Sequence, residues 1–228
     1  MSMRYIIIGL GFFGSSLAAK LTSLGHEVIG IDRRSERADE LKDKITKVMI
    51  MDCTKQNALH ALPLTDVDAV IVAIGEDIGS SILILSMLKN QKVKRIIGRA
   101  INPMHQHILS ELGIEEITHP EEDTATELSA VLMLKNAVNT MIVNDRIIIA
   151  ELQIPEAYIG HSLEAVNLEE RFGIRLVAVK IAPAEKGLSS FFSKDYQVDL
   201  AGDPHRLLGQ KDRLIVIGKL DSIKRFVD

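Results

Sequence analysis

A short, mainly apolar run from Arg4 to Ile8 stops at Gly9-Leu-Gly-Phe-Phe-Gly14, and apolar residues at helical spacing then continue from Ser15 to Leu24 and end at Gly25. This reads as strand, tight turn, helix, and no other feature of the chain restricts its fold as much. A strand feeding a helix through a glycine turn is half of a βαβ unit, which commits the following segments to a parallel sheet.

The three glycines of this G-x-G-x-x-G spacing serve different physical ends. Gly9 allows the tight turn, Gly11 the close approach of backbone to a phosphate, and Gly14 the packing of helix on sheet. The helix that follows offers free N–H groups and the positive end of its dipole to an anion. The next β-rich run, Glu27 to Asp32, ends on a carboxylate 18 residues after Gly14 and 23 after Gly9, where the fold brings it within reach of ribose hydroxyls. Asp32 repels a 2′-phosphate and so ranks NAD, ADP or ATP above NADP. The adjacent Arg33 and Arg34 weaken that discrimination, or are simply a solvated helix start.

The alternation continues. Helices are predicted near Ser35–Asp43, Lys55–Ala61, Ser80–Lys89 and Pro103–Leu112, and strands near Val48–Met51, Ala69–Ala73, Arg95–Arg99 and Glu116–Thr118. The runs VIVAI (70–74) and IIIG (6–9) are apolar on both faces, as strands covered on two sides must be. From Asp123 to about Met141 the pattern predicts one long helix, its stripe formed by Leu128, Val131, Leu132, Leu134, Val138 and Met141. It either packs on its own domain or crosses over to a second subunit. Beyond Asn144 and Asp145 come strand Ile147–Ile154, helix Ser162–Phe172, strand Ile174–Ile181, an irregular stretch from Pro183 to Gly209, strand Arg213–Ile217 and helix Ser222–Val227. The reading is thus an α/β chain: a Rossmann-like, doubly wound parallel sheet over 1–122, a crossover helix over 123–143, and a small α+β domain over 144–228.

Composition removes several function classes. At 228 residues and net charge −4, with basic residues scattered, the chain has no electrostatic footprint for nucleic acid. The single cysteine, Cys53, cannot form an internal disulfide, and no leader-like segment precedes the first strand, which points to the cytoplasm. The apolar stretches fall far short of the roughly 20 residues of a membrane span, so any link to a membrane runs through a partner. His105 and His107 lie two apart on a predicted helix and make a poor metal pair. Motifs for a serine nucleophile, a zinc protease or a P-loop are absent, so the chain reads as a non-enzyme. The alternatives are a small NAD-dependent oxidoreductase and a nucleotide-responsive regulator of some other ion transporter.

Taken together, GLGFFG (9–14), IDR (31–33), MDCT (51–54), VIVAIG (70–75), GRAINPMHQHILSELGIEEITHPEED (98–123) and GQKDRLIVIGKLDSIKRF (209–226) resemble the cytosolic regulatory subunits of Ktr/Trk-type potassium uptake systems. Those are built from an RCK N-domain and an RCK C-domain. The resemblance implies a nucleotide-gated subunit that dimerises, assembles into an octameric ring and sits beneath a membrane-embedded potassium channel or transporter. It also implies a second ligand site in the C-domain, for cyclic di-AMP in some relatives.

Residue by residue, the resemblance places Gly9, Gly11 and Gly14 on the phosphates, with Phe12 and Phe13 in the same loop and Asp32 and Arg33 at the ribose end. Asp52 and Cys53 fall beside the adenine, Gly75 and Glu76 close over the site, and Arg99 lies near the phosphates. Glu121 matches a carboxylate that helps hold a divalent cation near a γ-phosphate, or else is a helix N-terminal charge. Phe12 departs from the pattern: several ATP-responsive relatives carry arginine there, and a phenyl ring cannot make charge-assisted bonds to a γ-phosphate. Cys53 is a small buried or ligand-lining residue, or a redox switch without a resolving partner; Phe191 and Phe192 are core cover or a contact patch.

Overall fold

The computed structural model describes residues 2–144, 146–183, 196–200 and 202–228. It divides into two compact units, Met1–Glu121 and Glu122–Asp228. Phe191 and Phe192 lie outside the described residues.

In the first unit, strands β1 (Arg4–Ile8), β2 (Glu27–Asp32), β3 (Lys47–Ile50), β4 (Ala69–Val72), β5 (Ile96–Arg99) and β6 (Glu116–Thr118) alternate with helices α1 (Phe12–Ser23), α2 (Ser35–Asp39), α3 (Gln56–His60), α4 (Ile78–Asn90) and α5 (Pro103–Glu111). The strands form one parallel sheet in the order β3-β2-β1-β4-β5-β6. From β1 the chain winds outward to β3, then returns to lay β4 against β1. That reversal opens a crevice beyond the carboxyl ends of β1 and β4, where ligands of such sheets bind.

The pleat explains why the central strands are apolar throughout. Ile6 and Ile8 enter one core layer with Val70 and Val72, whereas Ile7 enters the other with Val28 and Ile71. Both layers exclude water, so β1 and β4 are covered on two sides as the runs at 6–9 and 70–74 predict.

The second unit is a five-stranded antiparallel sheet, β10-β9-β11-β8-β7, made of β7 (Ala137–Ile142), β8 (Ile147–Gln153), β9 (Ile174–Ile181), β10 (Gln197–Asp199) and β11 (Arg213–Lys219). Alternate residues of β8 and β11 are buried, namely Ile148, Ala150 and Leu152, and Leu214 and Val216. They share a core with Val166 of α7 (Leu163–Val166), Leu168 of α8 (Leu168–Phe172), and Ile223 and Phe226 of α9 (Leu220–Val227). Tyr158 stacks on Phe226 at 5.1 Å between centroids, and Phe172 meets the same ring edge-on at 5.3 Å.

Four local readings need correction. The long helix expected to about Met141, and the crossover helix over 123–143, end early: α6 spans Pro120–Met133, and Ala137–Ile142 is a strand on the edge of the second sheet. Asn136, at φ 64°, turns the backbone out of the helix, and Val138, Thr140 and Ile142 are β-branched residues that a sheet edge accepts readily. Second, the helix expected over Ser162–Phe172 is two helices, broken where Asn167 adopts φ 48°. Third, part of the stretch from Pro183 to Gly209 is ordered as β10, paired with β9. Fourth, α1 begins at Phe12 rather than Ser15, so both phenylalanines belong to its first turn.

Leu152 is fully buried on β8, an interior strand of the second sheet paired on both sides, by β11 and β7. Leu152→Ala is expected to destabilise this unit by about 2–5 kcal/mol, read as a lower urea midpoint for its unfolding.

Candidate functional site

The glycine loop is held by sterics. A Cβ at Gly14 would sit 2.0 Å from the carbonyl oxygen of Gly9, and one at Gly9 would meet Ile74 Cγ1 at 2.8 Å with the backbone at φ 95°. Only glycine satisfies either position. Gly11 is different: a Cβ there would meet nothing within 4 Å, so the backbone borders open space at the N-cap of α1. No side chain caps this helix, and the N–H groups of its first turn have no acceptor within it. A bare helix start beside open space is a place where an anion can dock.

Asp32 secures the loop from the end of β2. Its carboxylate is 6% exposed; Oδ2 accepts the N–H of Leu10 at 2.8 Å, and Oδ1 accepts the N–H of Arg34 at 2.9 Å and its Nε at 3.3 Å. Burial pushes this carboxyl up, but the two N–H groups and the Arg34 guanidinium outweigh burial and hold it below the ordinary value. A carboxylate has about four lone-pair sites, and three are used here, so one acceptor position is left for a hydroxyl.

Arg34, rather than Arg33, is the basic residue that engages Asp32. Its Nη1 also donates to Glu76 at 3.0 Å, so it reaches from the end of β2 past β1 to the segment after β4. Arg33 lies 3.7 Å from Asp77, with both partners substantially exposed. The sequence offers no signal for this exchange of roles, because both arginines read as a helix start.

Among the other sequence-predicted positions, Phe12 is 88% exposed, so its ring stands in solvent and lines no core. Phe13 is half-buried, with the Arg99 guanidinium carbon 5.5 Å from its ring centroid. Asp52 closes a turn by accepting the Thr54 hydroxyl at 2.7 Å and its N–H at 3.1 Å. Cys53 is buried in the core layer containing Ile6 and Val72, and burial, then the charges of Asp52 and Asp32, push its thiol to about 12. Such a thiol packs and does not react. Gly75 borders Arg99 closely: a Cβ there would lie 2.8 Å from Nη1. The structure therefore gathers Gly9, Gly11, Gly14, Phe13, Gly75 and Arg99 around the crevice end of the sheet, with Asp32 and Glu76 joined through Arg34.

Glu121, in the first turn of α6, pairs with Arg99. Among the described residues no three His, Cys, Asp or Glu side chains come together as a metal-binding group, so a protein-only cation cage does not fit here. His105 is buried, with burial lowering its pKa, while His107 is exposed. In the second unit a cavity of about 360 Å³ is lined by Leu163, Leu168, Ile174 and Leu176, with Glu164, Glu169 and Glu170 among its walls. Those carboxylates oppose a ligand bearing phosphates within a single chain.

The TrkA-N domain family model matches residues 5–120. The chain is 30% identical over 226 residues to the Ktr system potassium uptake protein C of Bacillus subtilis (strain 168), covering 99% of this chain and 96% of that one. It is 28% identical over 223 residues to the Ktr system potassium uptake protein A of the same organism, covering 98% and 95% respectively. Among solved structures, the GsuK channel bound to NAD superposes with a TM-score of 0.65 at 15% identity. That likeness covers all of this chain and 40% of the channel chain, and it shows a shared fold.

Two outcomes follow from the site. Because the folded pKa of Asp32 is depressed, its contribution is present at neutral pH and fades as pH falls from the unfolded carboxylate value near ~3.9 through the lower folded value. Asp32→Asn is therefore expected to flatten the pH dependence of stability below about pH 4, measured by urea titration across pH. Iodoacetamide at pH 8 is expected to leave Cys53 unmodified in the folded protein and to alkylate it fully in urea, as read by intact mass.

Proposed function

This chain belongs to the TrkA-N domain family, and on that premise we propose that it is the nucleotide-sensing regulatory subunit of a potassium uptake system. The observation that carries the proposal is the uncapped start of α1, where Gly11 borders open space above a loop anchored by Asp32. The match to Ktr uptake subunits over nearly the whole chain supplies the system.

The ligand is an adenine nucleotide, NAD(H), ADP or ATP. The α1 N–H groups take its phosphates, Asp32 accepts a ribose hydroxyl at its remaining lone pair, and Asp52 and Cys53 line the adenine end. Gly75 leaves room for Arg99 beside the phosphates, and Glu76 is drawn toward the same crevice by Arg34. The exposed phenyl of Phe12 offers a γ-phosphate no donor, which favours ligands read by their diphosphate. The nucleotide acts as a signal: it shifts a conformational equilibrium only to the extent that it binds one state better.

The protein works as a homo-oligomer, a dimer within an octameric ring, on the cytoplasmic face of a membrane-embedded potassium-conducting partner. Among the described residues no helix is long and apolar enough to cross a membrane. Leu128 and Leu132, four apart on α6 and 54% and 78% exposed, supply an apolar stripe for contact with another copy. A cyclic dinucleotide at the second unit would require a surface other than its carboxylate-walled cavity, such as one shared between copies.

Native mass spectrometry tests the reading, since it counts subunits and bound nucleotides together. Gly11→Asp supplies a good N-cap, so the helix start survives, but its carboxylate repels phosphate. The expected result is an intact oligomer that has lost its nucleotide, with binding weaker by about tenfold or more. A wild-type protein that is a monomer and binds no adenine nucleotide would overturn the proposal.

A further inference from the structure

Arg99 closes β5 with a side chain only 14% exposed, lying against the Phe13 ring and the bare face of Gly75. A guanidinium presents five N–H donors. Nη1 donates to the carbonyl of Ala73 at 3.2 Å, Nη2 pairs with Glu121, and Nε is buried without a hydrogen-bond partner among the described residues. The cation is thus largely desolvated yet poorly satisfied. Its sole carboxylate partner among the described residues is 65% exposed and sits on a different element, the first turn of α6. An ion pair with one partner so exposed is readily exchanged.

Phe13 is the second residue of α1, so the guanidinium stacks on the helix turn whose N–H groups await an anion. A phosphate there can engage the arginine through two donors at once, which a carboxylate held by one nitrogen does not. We infer that Glu121 is a place-holding anion: a nucleotide phosphate displaces it from Arg99, and the displacement frees the first turn of α6. This deepens the nucleotide-sensing reading and rests on it. Helix α6 begins in the first unit and continues past Glu121, so the pair ties occupancy of the glycine loop to the start of that helix. Because coupling of this kind is reciprocal, removing the Glu121 charge must strengthen nucleotide binding.

The test is calorimetric titration of ADP into the full-length protein in EDTA, with hydrogen–deuterium exchange read over residues 122–126. Glu121→Gln is expected to tighten ADP binding about fivefold. In the wild type, ADP should speed exchange over 122–126; in Glu121→Gln, exchange should be fast at the outset and insensitive to ADP. Arg99→Gln should weaken ADP binding and abolish its effect on exchange. Equal or weaker ADP binding by Glu121→Gln, while the wild type binds normally, overturns the displacement and leaves nucleotide sensing standing. So does a Glu121→Gln defect that appears only with Mg²⁺ and ATP, which would make the carboxylate a cation ligand. A wild type that binds neither ADP nor NADH overturns both readings.

Discussion

The contact on which the first unit depends is the approach of α1 to the end of β1, so close that a Cβ at Gly14 would lie 2.0 Å from the Gly9 carbonyl oxygen. That approach sets the start of α1 at the crevice end of the sheet. It also presses Gly9 against Ile74 and brings Gly14 beside Ala73, at the end of β4. Ala73 in turn receives Arg99, and Arg99 fills the space that a side chain at Gly75 would need. A line of close contacts therefore runs from β1 through the end of β4 to β5, and at Gly9, Gly14 and Gly75 the absence of a Cβ creates the room.

Charges around this line fall into two kinds. Asp32 is buried and engaged by three donors, two of them backbone N–H groups, so it behaves as part of the scaffold. Arg34–Glu76 and Arg99–Glu121 each join a basic side chain to a carboxylate that is 74% and 65% exposed. Pairs of that kind contribute little to stability and separate without large cost. A site built to sense a ligand needs both: a rigid seat, and contacts that can change when the seat is taken.

Much of this was legible locally. Gly9, Gly14 and Asp32 stand where a βαβ unit requires them, because backbone conformation and a short reach decide their identity. The two-sided burial of β1 and β4 could be read from unbroken apolar runs. The segment 137–142 could not, since Val138 and Met141 continue the helical spacing of α6, and strand formation there comes from pairing with β8. Three-residue β10 likewise exists through its ladder to β9, which no local pattern announces.

By itself, then, the sequence determined the order of strands and helices in the first unit, the glycine cradle and the carboxylate behind it, each set by interactions local to the βαβ pattern. Tertiary structure alone decided that Arg34 rather than Arg33 reaches Asp32 and Glu76, and that Glu121 is the anion given to Arg99. The reason is reach across the chain. Arg34 meets Glu76 42 residues away and Arg99 meets Glu121 22 residues away, distances closed only when β2, β1, β4, β5 and β6 lie side by side.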